Sequence, residues 1–166
     1  MLQLHANVYA FPDGAINGPE VSLRGLNLPT LRGVTDGPPA FIATLPITFE
    51  EMQAALLELE RSDCEPDGFF LITGHVGDQF WRLNGHKHEY EGQMHRVELH
   101  GECPAATFDN VLRTMGWPEA ELAFELVKEG VTLREKEFRR WADTNRVDTT
   151  RLAARTRAVS ESHRVD

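Results

Sequence analysis

Cysteine is nearly absent from this chain. Cys64 and Cys103 are the only two among 166 residues, and they lack the CxxC spacing of a metal or redox motif. A disulfide framework is thereby excluded, and the pair suits a reducing compartment. Long apolar runs are missing as well. None approaches the roughly 18 residues that a membrane helix needs, and Met1-Leu2-Gln3-Leu4-His5 lacks the basic region and apolar core of a secretory signal. The expectation is a cytoplasmic protein without a membrane partner. Positive charge is scarce too: 17 Lys and Arg stand against 26 Asp and Glu, a net charge of −9 with His neutral. An acidic surface repels phosphate backbones, so nucleic acid is not an expected partner. No internal repeat is visible.

What is present reads as one globular domain. Hydrophobic residues make up 41% and charged residues 26%, which gives a chain of this length enough apolar material for a core. The expected class is α+β: an antiparallel β-meander with helices packed on one face, followed by a C-terminal helical hairpin. A single domain over 1–142 would divide into a Gly/Pro-rich arm (1–40), a sheet-helix core (41–116) and the helical hairpin (117–142). A polar tail follows at 143–166.

In the arm, Pro12, Gly14, Gly18, Pro19, Gly25 and Pro29 break any long helix, and only one or two short strands are expected there. Phe41–Leu45 reads as a strand ended by Pro46. Thr48-x-x-Glu51 is a capping box, and Phe49, Met52, Leu56 and Leu59 recur at helical spacing, so 48–61 is predicted as an amphipathic helix. Phe69–Thr73 is a strand. Beyond it, Asn84-Gly85 and Glu91-Gly92 are both turn dipeptides. If both turn, three short strands result; if only the second does, the strands are fewer and longer, with a bulge at Gly85. Pro104 opens a second helix, which carries Phe108, Val111, Leu112 and Met115 and stops at Gly116. In the hairpin, Leu122, Leu126 and Val127 lie on the first arm and Gly130 ends it. Thr132-x-x-Glu135 caps the second, which bears Phe138 and Trp141.

The strongest chemical signal is a histidine cluster in His86-Lys87-His88-Glu89-Tyr90-Glu91-Gly92-Gln93-Met94-His95. A tight turn at Glu91-Gly92 sets Tyr90 opposite Gln93 and His88 opposite His95, while His86 and His88 share a face by strand alternation. Three imidazoles with an open fourth position could hold zinc or a similar divalent ion and activate water. His86, His88 and His95 are therefore the candidate metal ligands. No organic cofactor site is indicated. The competing reading is a solvated hairpin, because Lys87, Glu89, Glu91, Gln93 and Arg96 make this segment strongly polar. His86-x-His88 resembles the cupin metal motif over two residues. That motif's Glu, four or five positions on, is replaced by Gly92 and Gln93, so nothing more is carried over.

Three other signals are weaker. Cys103 precedes a helix start and follows His100 by three residues, a Cys–His arrangement that can make a nucleophile, although a buried structural thiol is the favoured reading. Glu125–Trp141 resembles a DNA-binding helix-turn-helix centred on Gly130-Val131-Thr132. Lys136 stands where that motif wants an apolar residue, and the net charge opposes DNA. The order helix, strands, helix over 48–115 is shared with double-stranded RNA-binding domains, but the second helix lacks their basic N-terminal cluster. The favoured function is a non-catalytic protein-interaction or small-ligand-binding module, with a protein partner or self-association as a homodimer. The alternative is a metal-dependent hydrolytic enzyme built on the three histidines.

Overall fold

The computed structural model describes residues 1–32 and 43–143. Among these residues nine strands form: β1 (Leu2–Ala10), β2 (Ile16–Leu23), β3 (Leu26–Arg32), β4 (Ser62–Cys64), β5 (Phe69–Val76), β6 (Gln79–Tyr90), β7 (Gln93–Cys103), β8 (Leu122–Leu126) and β9 (Val131–Arg134). The described helices are α1 (Phe49–Leu57), α2 (Ala105–Arg113) and α3 (Glu135–Ala142). All nine strands join one sheet in the order β2-β3-β9-β8-β1-β7-β6-β5-β4. Every neighbouring pair is antiparallel.

The arm is far more regular than its Gly and Pro content predicts. Leu2, Leu4, Ala6 and Val8 alternate with polar residues and are buried, so β1 lies at the centre of the sheet, between β7 and β8. The proline-bearing β2 and β3 pair as a hairpin at one end, where a register shift between Asn17 and Glu20 accommodates Pro19. Proline is tolerated there because β2 is an edge strand.

The helices add their apolar faces to a single core. Met52 and Leu56 of α1, Phe108, Val111 and Leu112 of α2, and Phe138 and Trp141 of α3 share one cluster with Leu4, Val8, Phe70, Ile72, Val97 and Phe124. Helices on one face of an antiparallel sheet are thus realised. Within the core, Phe124 and Phe138 stack at 4.4 Å between centroids with planes 15° apart. Burial of each such side chain is worth about 1.5–3 kcal/mol.

The capping box forms as expected: Thr48 Oγ1 accepts from the Glu51 amide at 3.2 Å, and Glu51 Oε2 accepts from the Thr48 amide at 3.0 Å. These bonds hold the Glu51 carboxyl below its ordinary range. Two expectations are corrected. The segment 122–134 is a β-hairpin, not the first arm of a helical hairpin. Leu122, Phe124 and Leu126 face the core, and Gly130 turns the chain at φ 64° into β9. Thr132 belongs to that strand, and α3 begins only at Glu135. No strand covers Ala43–Leu45, which is held instead by a bond from the Leu45 amide to the Met94 carbonyl at 2.8 Å; Phe41 and Ile42 lie outside the described residues. Of the two versions of the meander, the one with fewer and longer strands forms: Asn84-Gly85 does not turn, and β6 runs straight through it. Gly85 pairs with Phe70 in register, and the bulge falls instead at His88/Glu89. The polar tail lies almost wholly outside the described residues. No described helix is long and apolar enough to cross a membrane.

Candidate functional site

The hairpin turn falls where the sequence places it. Glu91 (φ 52°) and Gly92 (φ 75°) both take left-handed conformations, as a two-residue type I′ connection requires, and Tyr90 pairs with Gln93. The register then shifts. Glu89 pairs with Met94 and His88 with Arg96, which leaves His95 as the extra residue of a bulge. The expected pairing of His88 with His95 is therefore corrected. His86 and His88 do lie together, with ring centroids 4.7 Å apart, whereas the His95 ring stands 6.2 Å from Tyr90. Among the described residues, no group of three or more His, Cys, Asp or Glu stands where it could hold a metal ion.

What the sheet assembles is a wider polar field on the face away from the helices. The register of β1 against β7 sets His5 opposite His100 and Asn7 opposite Glu98, while β6 sets His86 opposite Glu98. Glu98 sits between two imidazoles, its Oε1 3.6 Å from His5 Nε2 and its Oε2 4.0 Å from His88 Nε2. The His5 and His100 rings are 4.6 Å apart. Beside them, Asn7 Nδ2 and Tyr9 Oη donate to Glu125 Oε2 at 2.9 and 3.0 Å. Burial lifts the Tyr9 hydroxyl above its ordinary pKa, with Arg96 opposing the shift. Burial also pulls His88 below 6.5, and the charges of Arg96 and His86 act in the same direction.

This field runs into a cleft of about 360 Å³. The cleft opens where β1 outruns β8: Ala6 pairs with Leu126, Leu126 starts the turn into β9, and Gln3 and Leu4 beyond it have no β8 partner. Gln3, His5, Arg82, Asn84, His100 and Glu102 line one side, with Arg24, Lys128, Glu129 and Trp141 on the other. Arg24 is fixed over the Trp141 ring at 4.1 Å and donates to the Trp141 carbonyl at 3.1 Å. The indole Nε1 of Trp141 is buried and has no hydrogen-bond partner among the described residues.

The other candidates resolve simply. Cys103 is fully buried on the helix side, where burial pushes its thiol up to about 12. His100 is exposed on the opposite face, so the two do not form a pair. Trp81 belongs to the core, and it also borders a cavity. The helix-turn-helix likeness fails, because 122–134 is a β-hairpin. Sequence reasoning misses His5, because the Gly and Pro spacing of the arm points to few strands. The Leu2/Leu4/Ala6/Val8 alternation is the signal that finds it. Compared with known proteins, the chain matches no family model, no curated protein and no solved structure.

Proposed function

We propose that this protein is a non-catalytic module that binds a small, multiply charged anion, a carboxylate or phosphate compound, in the cleft beside β1. The observation that carries this reading is a local concentration of cations. In a chain of net −9, Arg24, Arg82 and Lys128 converge with the imidazoles of His5 and His100 on one cleft, which balances Glu102 and Glu129 in its lining and Glu98 3.6 Å from His5. Charges further away than a Debye length, about 8–10 Å at ordinary ionic strength, are largely screened, so the cleft's own cations set the potential a small ligand meets. Arg24 is pre-positioned by Trp141, which lowers the ordering cost of binding. A binding role is favoured over chemistry because the nucleophile candidate, Cys103, is buried on the other side of the sheet.

Calorimetry on untagged protein with citrate and with inorganic phosphate tests the proposal. Saturable binding of one or both is expected, weakened about tenfold or more by Arg82→Ala. Absence of saturable binding to either, or binding indifferent to Arg82→Ala and Lys128→Ala, sinks it. The metal-dependent alternative has the closeness of His86 and His88 in its favour and the bulge at His95 against it. One zinc bound per chain and lost in His95→Ala would put that alternative ahead.

A further inference from the structure

The cleft beside β1 holds fixed charges of both signs in equal number. Arg24, Arg82 and Lys128 share its lining with Glu102 and Glu129, and Glu98 stands at its edge, 3.6 Å from His5 Nε2. Three cations thus meet three carboxylates. While the imidazoles are neutral the site is close to electroneutral. Its sign is left to His5 and His100, the lining groups of the type whose charge changes between about pH 5 and about pH 8.

The sheet builds these two into a pair. The register of β1 against β7 sets His5 opposite His100, and their ring centroids stand 4.6 Å apart. His5 is half-buried in the wall and His100 is exposed. The surrounding elements supply the charges named above. Glu98 and Glu102 come from β7, and Arg82 comes from β6, which also brings His88 to 4.0 Å from the other oxygen of Glu98 and pairs His86 with it. Arg24 comes from the turn between β2 and β3, and Lys128 and Glu129 from the turn between β8 and β9. From α3 the cleft takes only Trp141, which is uncharged. Cations and carboxylates offset one another around the empty pair, but two imidazolium rings at this separation repel. An anion in the cleft offsets that repulsion, and each protonated ring offers it a charge-assisted N–H bond.

We infer, on the basis of the anion reading of this cleft, that His5 and His100 make its binding proton-coupled. The cleft takes up protons from solvent together with a small dianion, holds it under mildly acid conditions and releases it as pH rises. The linkage is reciprocal: protons strengthen anion binding to the same degree that the anion draws protons onto the pair.

Calorimetry of the untagged full chain with sulfate and with oxalate tests this at about pH 8 and about pH 6, because both probes stay doubly charged over that range. Affinity is expected to rise about tenfold on acidification. Heats measured in buffers of unequal ionisation enthalpy should show net proton uptake at about pH 7. His5→Gln and His100→Gln should each reduce the response and the double variant should abolish it, whereas His75→Gln, on β5 outside the cleft, should keep it whole. Should His5→Gln not fold, His100→Gln at its exposed position carries the test alone. Equal affinity at the two pH values, still weakened by Arg82→Ala, overturns the coupling and leaves the anion site standing. A pH response undiminished in His100→Gln places the protons elsewhere and overturns it too. Absence of binding by both probes at both pH values overturns the inference, and citrate or phosphate with Arg82→Ala then decides separately whether the anion reading stands.

Discussion

Lys87 is 2% exposed and lies on the helix face of β6, a place where strand alternation puts apolar side chains. Its ammonium donates to Gln53 Oε1 at 2.7 Å and sits 3.6 Å above the Phe49 ring, so α1 supplies both partners. Burial lowers its pKa from 10.5. A buried charge that loses its acceptor is destabilised more than one replaced outright. Gln53→Ala is accordingly expected to lose about 1–3 kcal/mol in urea unfolding, whereas Lys87→Met should leave the midpoint unchanged or raise it. The polar hairpin thus contains a charged residue that belongs to the core, which composition alone does not reveal.

His88 gives a pH prediction at the same scale. Its folded pKa lies below 6.5, so the unfolded chain takes up the proton first as pH falls. The stability it contributes is complete above 6.5 and is lost as pH drops from there toward the lowered folded value. His88→Gln takes up no proton, so its melting temperature should fall less than that of the parent between about pH 8 and about pH 5. An unchanged difference in melting temperature over that range would show that His88 contributes nothing to the acid response.

The elements differ in how plainly the sequence announces them. Helix α1 is legible because Thr48 and Glu51 specify its start through local bonds alone. Thr48→Ala should therefore cost about 1 kcal/mol, measured by thermal or urea unfolding. The turn at Glu91-Gly92 is legible for the same reason. Glu91 nevertheless holds φ 52° without the conformational freedom of Asn or Gly, so Glu91→Asn should add about 0.5–1 kcal/mol. The segment 122–134 misleads because Leu122, Leu126 and Val127 fit a helical repeat as well as a strand. The decision falls to β1 and β3, which pair with β8 and β9 from more than a hundred residues away in sequence. The bulge at His95 is equally silent in the sequence, since no local residue demands it. The candidate site was half legible: His86 and His88 could be grouped from alternation, but His5, Glu98 and His100 join them only through sheet register.

At the scale of the whole molecule, the sheet protects its own margins. Edge strand β2 carries Pro19 and a register shift, and edge strand β4 has only three residues. Both devices discourage edge-to-edge association. The large apolar side chains of the arm and of 122–142, among them Leu4, Val8, Leu28, Phe124 and Phe138, are spent in the core. Hydrogen exchange should follow this plan: β1 and β7 amides are expected to exchange most slowly, at the rate of global unfolding, and β2 amides fastest among the strands. Rapid exchange throughout β1 would contradict its central place.

That central place has a consequence during synthesis. The strand made first among the nine must wait for its neighbours, since Leu2 lies opposite Cys103 and Ala6 opposite Leu126. Once Cys103 has emerged β7 can cover one flank of β1, but until Leu126 has left the ribosome the flank that β8 covers stays open. Nascent chains halted before that point would be ready substrates for a chaperone, and emergence of β8 and β9 would complete the sheet in a late step.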